Sequence, residues 1–357
     1  MDIFSPVALG DLQLANRVVM APLTRCRSGA DGVPGDLVAE HYAQRAGVGL
    51  IVTEGTYPSR DSRGFPGQPG IVDDEQAAGW ARVAQAVHAA GGRIVLQVMH
   101  AGRVTHPDIT GVDQVVAPSA VAIDGLARTA SGKKPYPVPH ALTEQEMAGV
   151  RDDFVAASRR AIDAGLDGVE IHGANGYLLH EFLAPGANQR RDEFGGSPQA
   201  RARFVAEVVT AVAAEVGAGR VGLRLSPAHN IQDAFETDPD DVLATYTALL
   251  EQLRPLGLAY VSVLHAEPAG ELVQALRRAF DGPFVVNSGF GVITTRDEAI
   301  ALIEGADADA VAVGRPVIAN PDLVERWAAD APLNEPDAST FYSDGAQGYT
   351  DYPRLSA

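Results

Sequence analysis

Short runs of β-branched and aliphatic residues recur along the chain, each followed by a longer stretch in which Ala and Leu return at helical spacing. The alternation predicts parallel βα units, about eight of them. Strands are expected over Arg17 to Met20, Gly49 to Thr53, Arg93 to Val98, Gly168 to Ile171, Arg220 to Leu225, Ala259 to Leu264, Phe284 to Val286 and Ala310 to Val313. The clearest helices fall over Glu75 to Ala90, Glu144 to Ala164, Pro198 to Val216 and Pro239 to Leu253, with Thr143 and Glu146 spaced as a capping box. An open doubly wound sheet shares this pattern, but no G-x-G-x-x-G follows the first strand and nothing marks a switch in strand order. The expected fold is therefore α/β, a (β/α)8 TIM barrel in one domain over residues 1–357. One interruption, Thr105 to Leu142, carries five prolines between the third strand and its helix. It reads as a cap excursion over the barrel mouth, either shaping access to a site or covering exposed core.

A barrel gathers its chemistry where strands end. Directly after successive strands stand Pro22 and Thr24, Glu54 and Gly55, Gln97 and His100, His172 with Asn175, Arg224, Asn287 to Gly289, and Gly314 with Arg315. Singly, each is a plausible cap or core hydrogen bonder; together, at one rim, they point to a site. The segment Gly168 to Leu183 is the most informative, because a short strand empties into a turn carrying His172, Asn175 and Tyr177. Two donors able to converge on one oxygen, with a phenol just beyond, are equipment for polarising a carbonyl and protonating its neighbour. In isolation the same residues would also serve as a helix cap and a packing ring.

The last two strands lead into Val286-Asn287-Ser288-Gly289-Phe290-Gly291 and Val313-Gly314-Arg315-Pro316. Small residues there let backbone N–H groups approach an anion and the guanidinium adds charge, as in the phosphate site that recurs after strands seven and eight of barrels. Arg224, flanked by apolar neighbours, is expected to face inward and to need an anionic or electron-rich partner. A reducible ring bearing a phosphate satisfies both.

Composition narrows the classes further. A formal charge of −18 argues against nucleic acid or an anionic membrane as partner. The single cysteine, Cys26, leaves no disulfide framework or multi-thiolate cluster and fits a cytoplasmic setting, with neither a secretory start nor a bilayer-length apolar run. His100, His180 and His265 lie on separate segments without paired-ligand spacing, so no metal site is expected.

Four stretches resemble the Old Yellow Enzyme family: Leu14 to Arg25, His172 to Phe182, Gly314 to Leu323, and Phe341 with Gly345 to Pro353. Ala117 to Ala120 and Ser131 to Pro135, in the cap, are similar to its bacterial ene-reductase branch, which includes nitrate-ester and morphinone reductases. The resemblance implies an FMN-containing barrel that takes hydride from NADPH or NADH and reduces small activated alkenes. It implies that Thr24 tunes the flavin, that Gln97 and Arg224 contact its pyrimidine side, and that Arg315, Gly314 and the Gly289 to Gly291 backbone hold its phosphate, with Pro22, Gly55 and Ser288 on the cofactor side. His172 and Asn175 would bind the substrate oxygen, Tyr177 would donate the proton, and Phe65, Met99 and Tyr349 would line the pocket. Met99 stands where many members have Trp and Phe65 where Tyr is common, changes that bear on substrate range and not on reaction type. Cys26 lies two residues past the position of the flavin-tuning cysteine found elsewhere in the family and is read as a packed thiol. The Tyr349 to Pro353 tail is expected either to fold back over its own barrel or to reach a neighbour's, leaving monomer and homodimer open.

Four other readings share parts of this pattern. A flavin-dependent isomerase or a nitrate-ester reductase would use the same scaffold. A lyase barrel would want a Schiff-base lysine, but Lys133 and Lys134 lie in the cap and not at a strand end. A glycosidase pair at Glu54 and Glu181 leaves the glycine-rich loops unexplained.

Overall fold

The computed structural model describes residues 1–355. Eight parallel strands close into a barrel: β1 (Val18–Met20), β2 (Leu50–Val52), β3 (Ile94–Val98), β4 (Gly168–Gly173), β5 (Val221–Leu225), β6 (Tyr260–Leu264), β7 (Phe284–Asn287) and β8 (Ala310–Val313), with β8 pairing back onto β1. Each expected strand forms, with ends shifted by no more than two residues. Around them run α1 (Asp36–Gln44), α2 (Asp74–Ala89), α3 (Glu144–Asp163), α4 (Pro198–Val216), α5 (Pro239–Leu253), α6 (Glu271–Phe280) and α7 (Arg296–Glu304). The capping box of α3 is reciprocal: Glu146 N–H donates to Thr143 Oγ1 at 3.3 Å and Thr143 N–H to Glu146 Oε2 at 2.7 Å.

Strand alternation sorts side chains into two shells. Ile94, Leu96, Val98, Val169, Ile171, Val221 and Leu223 face the helices and join the large apolar shell between strands and helices. Val19, Leu50, Val52, Val95, Val285, Ala310 and Ala312 fill the lower interior of the barrel. Higher in the interior the inward positions turn polar. Strand register puts Gln97 opposite Glu170, Glu170 opposite Gly222 and Gly222 opposite Tyr260. Two residues further along, His172, Arg224 and Ser262 form the next row. The site thus rests on a graded core, apolar at the floor and polar toward the rim.

A hairpin of Val7–Leu9 and Leu12–Leu14 seals the floor, turning at Gly10, whose φ of +56° suits glycine. Leu9, Leu12 and Leu14 are buried against the lower interior residues. The hairpin is absent from the sequence expectation because its strands are three residues long, too short to show a period.

The cap excursion leaves β3 and returns to α3. It holds a short helix (Pro107–Thr110), a parallel pair between Val116–Ala117 and His140–Ala141, and a hairpin of Leu126–Thr129 with Gly132–Pro135. The C-terminal tail lies over its own barrel, where Arg25 donates to the carbonyls of Phe341 and Gly348. Among the described residues no helix is long and apolar enough to cross a membrane.

Candidate active site

At the C-terminal rim of the barrel lies a cleft of about 1210 Å³. That exceeds the usual size of a small-molecule pocket and suits a cofactor and a substrate together. Pro22, Thr24, Gln97, Met99, His172, Asn175, Tyr177, Arg224, Gly289, Gly314, Arg315 and Phe65 all line it. They come from distant parts of the chain and meet because each is an inward residue near the end of a barrel strand or sits in the loop beyond it.

His172 is the last inward residue of β4, and Asn175 and Tyr177 follow in the turn. Asn175 holds a left-handed φ of +60°, with its N–H donating to Ser226 Oγ at 2.8 Å and its carbonyl accepting from Gln232 Nε2 at 2.8 Å. Gly176 N–H donates to His180 Nδ1 at 2.8 Å, which leaves the Nε2 proton facing Glu236 across 3.2 Å. The turn is therefore clamped from behind while its side chains face the cleft. His172 Nδ1 and Asn175 Oδ1 are buried and have no partner among the described residues. Burial, with Arg224 and His180 nearby, pushes the His172 imidazolium far below its ordinary range, so the ring is neutral and keeps one N–H to donate. Burial raises the Tyr177 phenol above its ordinary value, holding it protonated. The Tyr177 ring stands 5.3 Å from that of His172 and edge-on to Phe65 at 6.3 Å.

Level with His172 on the neighbouring strand, Arg224 donates to Ser262 Oγ at 3.2 Å and to Asn287 Oδ1 at 3.0 Å, while its buried Nε is unpartnered. Gln97 Nε2 donates to Glu170 Oε1 at 2.8 Å. Gly289 has a φ of +96°, and no atom lies nearer than 3.8 Å to where a Cβ would stand; at Gly314 the nearest is Leu23 Cδ2 at 3.6 Å. Open glycine backbone with Arg315 beside it suits an anion. Unpartnered buried donors and acceptors below a roomy cleft are what a polar planar ring would satisfy.

Four expected site residues stand elsewhere. Gly55 is packed behind Met99, whose sulfur would lie 2.6 Å from an added Cβ, and does not line the cleft. Ser288 turns its hydroxyl away to Thr294 and Glu298, at the start of α7. Gly291 is exposed beyond the lining. Tyr349 is fully buried, stacked 3.8 Å from His41 under the guanidinium groups of Arg25 and Arg27. Its neighbours in the tail, Phe341, Tyr342 and Asp344, reach the cleft instead. Cys26 is half-buried at the cleft wall, and burial pushes its thiol up to about 12, a packed thiol and not a thiolate. Glu54 accepts from the backbone N–H groups of Arg25 and Cys26, and Glu181 from that of Arg103, so each buried carboxylate anchors a loop and neither lines the cleft.

Sequence reasoning missed Arg63 and Gln232, in the loops after β2 and β5, and Arg128 and Thr129 in the cap hairpin. Gln232 has a φ of +56° in an aperiodic loop, and no local signal announces such a residue.

Residues 2–334 match the sequence model of the NADH:flavin oxidoreductase / NADH oxidase family. A probable flavin mononucleotide-dependent alkene reductase from Leishmania infantum is 43% identical over 359 residues, covering 98% of this chain and 96% of that protein. 12-oxophytodienoate reductase 1 of Oryza sativa subsp. japonica is 41% identical, covering 99% and 93%. Among solved structures, the old yellow enzyme homologue from Zymomonas mobilis superimposes with a TM-score of 0.94 at 39% identity, over 99% of this chain and 100% of that one. Morphinone reductase in complex with tetrahydroNAD gives 0.92 at 44% identity, over 100% and 98%.

Proposed function

The chain belongs to the NADH:flavin oxidoreductase / NADH oxidase family, the oxidoreductases of Old Yellow Enzyme type, and from that premise we propose that it is an FMN-dependent ene-reductase acting on α,β-unsaturated carbonyl and nitro compounds. One observation carries this reading: His172, Asn175 and Tyr177 line one open cleft together with the inward residues Gln97 and Arg224, Arg224 standing level with His172 on the neighbouring strand. We read residues 1–357 as a single FMN-binding domain, cytoplasmic, with residues 105–142 as its cap.

Gln97 and Arg224 would hold the pyrimidine side of FMN, Thr24 its polar edge, and Arg315 with the Gly289 and Gly314 backbone its phosphate. When bound, FMN supplies the redox chemistry, taking hydride from NADPH or NADH and giving it to the alkene β-carbon. His172 and Asn175 bind the substrate's carbonyl or nitro oxygen. As reduction proceeds, negative charge grows on that oxygen, and donors fixed in a dry site are worth more there than to the neutral substrate. His172, neutral because of its burial, contributes through its ring N–H. Tyr177, kept protonated by burial, delivers its proton to the α-carbon. Met99, Phe65 and the tail residues Phe341 and Tyr342 shape the space left for the alkene.

The test is an anaerobic visible spectrum titrated with NADPH and then with cyclohex-2-enone. Flavin absorbance that bleaches with the first and returns with the second is the expected result. Flavin that reduces but stays reduced with the enone overturns the alkene assignment, and protein that binds no FMN overturns the cofactor site.

A further inference from the structure

The polar row below the site has a member that neither the catalytic chemistry nor the family comparison assigns. Glu170 faces the barrel interior and is 1% exposed. Its Oε1 accepts from Gln97 Nε2 at 2.8 Å, across the β3–β4 pairing, and its Oε2 accepts from the Tyr260 hydroxyl at 2.9 Å. Tyr260 lies two strands away and reaches Glu170 over Gly222, where an added Cβ would stand 2.4 Å from the ring. The glycine is therefore a requirement of this contact. Arg224 sits in the next row of the interior, on the strand that also carries Gly222.

Both carboxylate oxygens thus face donors, and a cation stands nearby. Burial raises the proton affinity of Glu170, while Arg224, Gln97 and Tyr260 oppose that rise. A group this deep in a barrel costs several kcal/mol to keep charged unless hydrogen bonds and an opposite charge offset the burial. Both Glu170 oxygens are hydrogen-bonded, and Arg224, which bonds Ser262 and Asn287 and forms no direct ion pair with Glu170, lowers the cost through its field.

We propose that Glu170 is an ionised positioning residue that fixes the amide of Gln97 with its oxygen turned toward the cleft and balances the charge of Arg224 below the bound flavin. This rests on the FMN reading above. With its NH₂ group committed to Glu170, Gln97 offers the cleft an acceptor, the group that a ring N–H needs. With its charge offset, Arg224 stabilises added electrons less than a lone guanidinium would. Glu170 would then set the flavin potential without touching the flavin.

The experiment compares wild type, Glu170→Gln and Glu170→Asp, measuring the midpoint potential of bound FMN and the affinity of the apoprotein for FMN by fluorescence quenching. Glu170→Gln keeps the shape and loses the charge, so its potential should move positive. Glu170→Asp keeps the charge but draws it away from Gln97, so its potential should stay near wild type while FMN binds about tenfold more weakly, the loss of one hydrogen bond. If Glu170→Gln does not fold, Tyr260→Phe carries the test. That carboxyl, with one donor fewer, takes up its proton more readily, and the potential should rise increasingly above wild type as the pH falls. A wild type that binds FMN, with unchanged potential in whichever of Glu170→Gln and Tyr260→Phe folds, overturns this inference alone. A wild type that binds no FMN overturns both it and the reading beneath it.

Discussion

Asn175 holds its left-handed φ of +60° because Ser226 and Gln232 grip its backbone on both sides. Asn tolerates this region better than most residues, and local strain of this kind persists where surrounding structure enforces it. The consequence is a side chain aimed into the cleft beside His172, with its Oδ1 left unpartnered by the chain. Tyr177 completes the group. Tyr177→Phe should slow reoxidation of reduced enzyme by cyclohex-2-enone by about 10² to 10⁴ and leave reduction by NADPH nearly unchanged, as stopped-flow measurement of the two half-reactions would show. Equal slowing of both would remove Tyr177 from the proton-donor role. Burial drives the two titrating groups apart, His172 well below its ordinary value and Tyr177 above its own. Neither changes protonation near neutrality, so the oxidative half-reaction should be flat from about pH 6 to about pH 9. A bell-shaped profile centred in that range would assign the proton to another group.

At the scale of elements, buried Glu and Arg side chains anchor the loops over the barrel rim. Glu54 anchors the loop after β1 by two backbone hydrogen bonds of 3.0 and 2.9 Å, and that loop grips the tail through Arg25 and Arg27. Glu181, in the short helix Leu178–Leu183, anchors the turn after β3 through Arg103 N–H but leaves Oε2 without a partner. Burial raises its carboxyl to about 8. Because the folded-state value lies above the unfolded one, the stabilisation from the protonated form is complete below the ordinary carboxylate range and is lost as pH rises through about 8. Glu181→Gln, which stays neutral, should therefore melt several degrees above wild type near pH 9 and match it near pH 5. Identical melting curves at both values would mean that Glu181 is solvated or paired in solution. The cap hairpin contributes Arg128 and Thr129 to the lining of the cleft.

For the whole molecule, the two ends of the barrel divide the work. The floor, closed by Leu9, Leu12 and Leu14 over an apolar interior, lies at the opposite end from the cleft and should bear on stability alone. Leu9→Ala is expected to cost about 2 to 5 kcal/mol in denaturant unfolding while the folded fraction keeps its FMN content and its turnover of enone. A parallel loss of FMN from folded protein would show that floor and rim are coupled. Much of this plan was legible in the chain, because a strand that must be apolar outside and polar inside writes its period directly: Gln97, His172, Arg224 and Asn287 are inward residues near strand ends, and Gly289 and Gly314 line the cleft in the loops that follow. Gly55 and Tyr349 misled for the same reason in reverse, since a motif fixes position along the chain but not which side of a loop faces the cleft. By itself the sequence determined the eight βα units, the barrel and the rim that holds the chemistry, all of which follow from local period and strand order. Only the tertiary structure decided that Tyr349 serves as a buried clamp, that Gln232 braces Asn175, and that Glu170 meets Tyr260 across Gly222, because these pairings join residues from 57 to 308 positions apart, beyond the reach of any local signal.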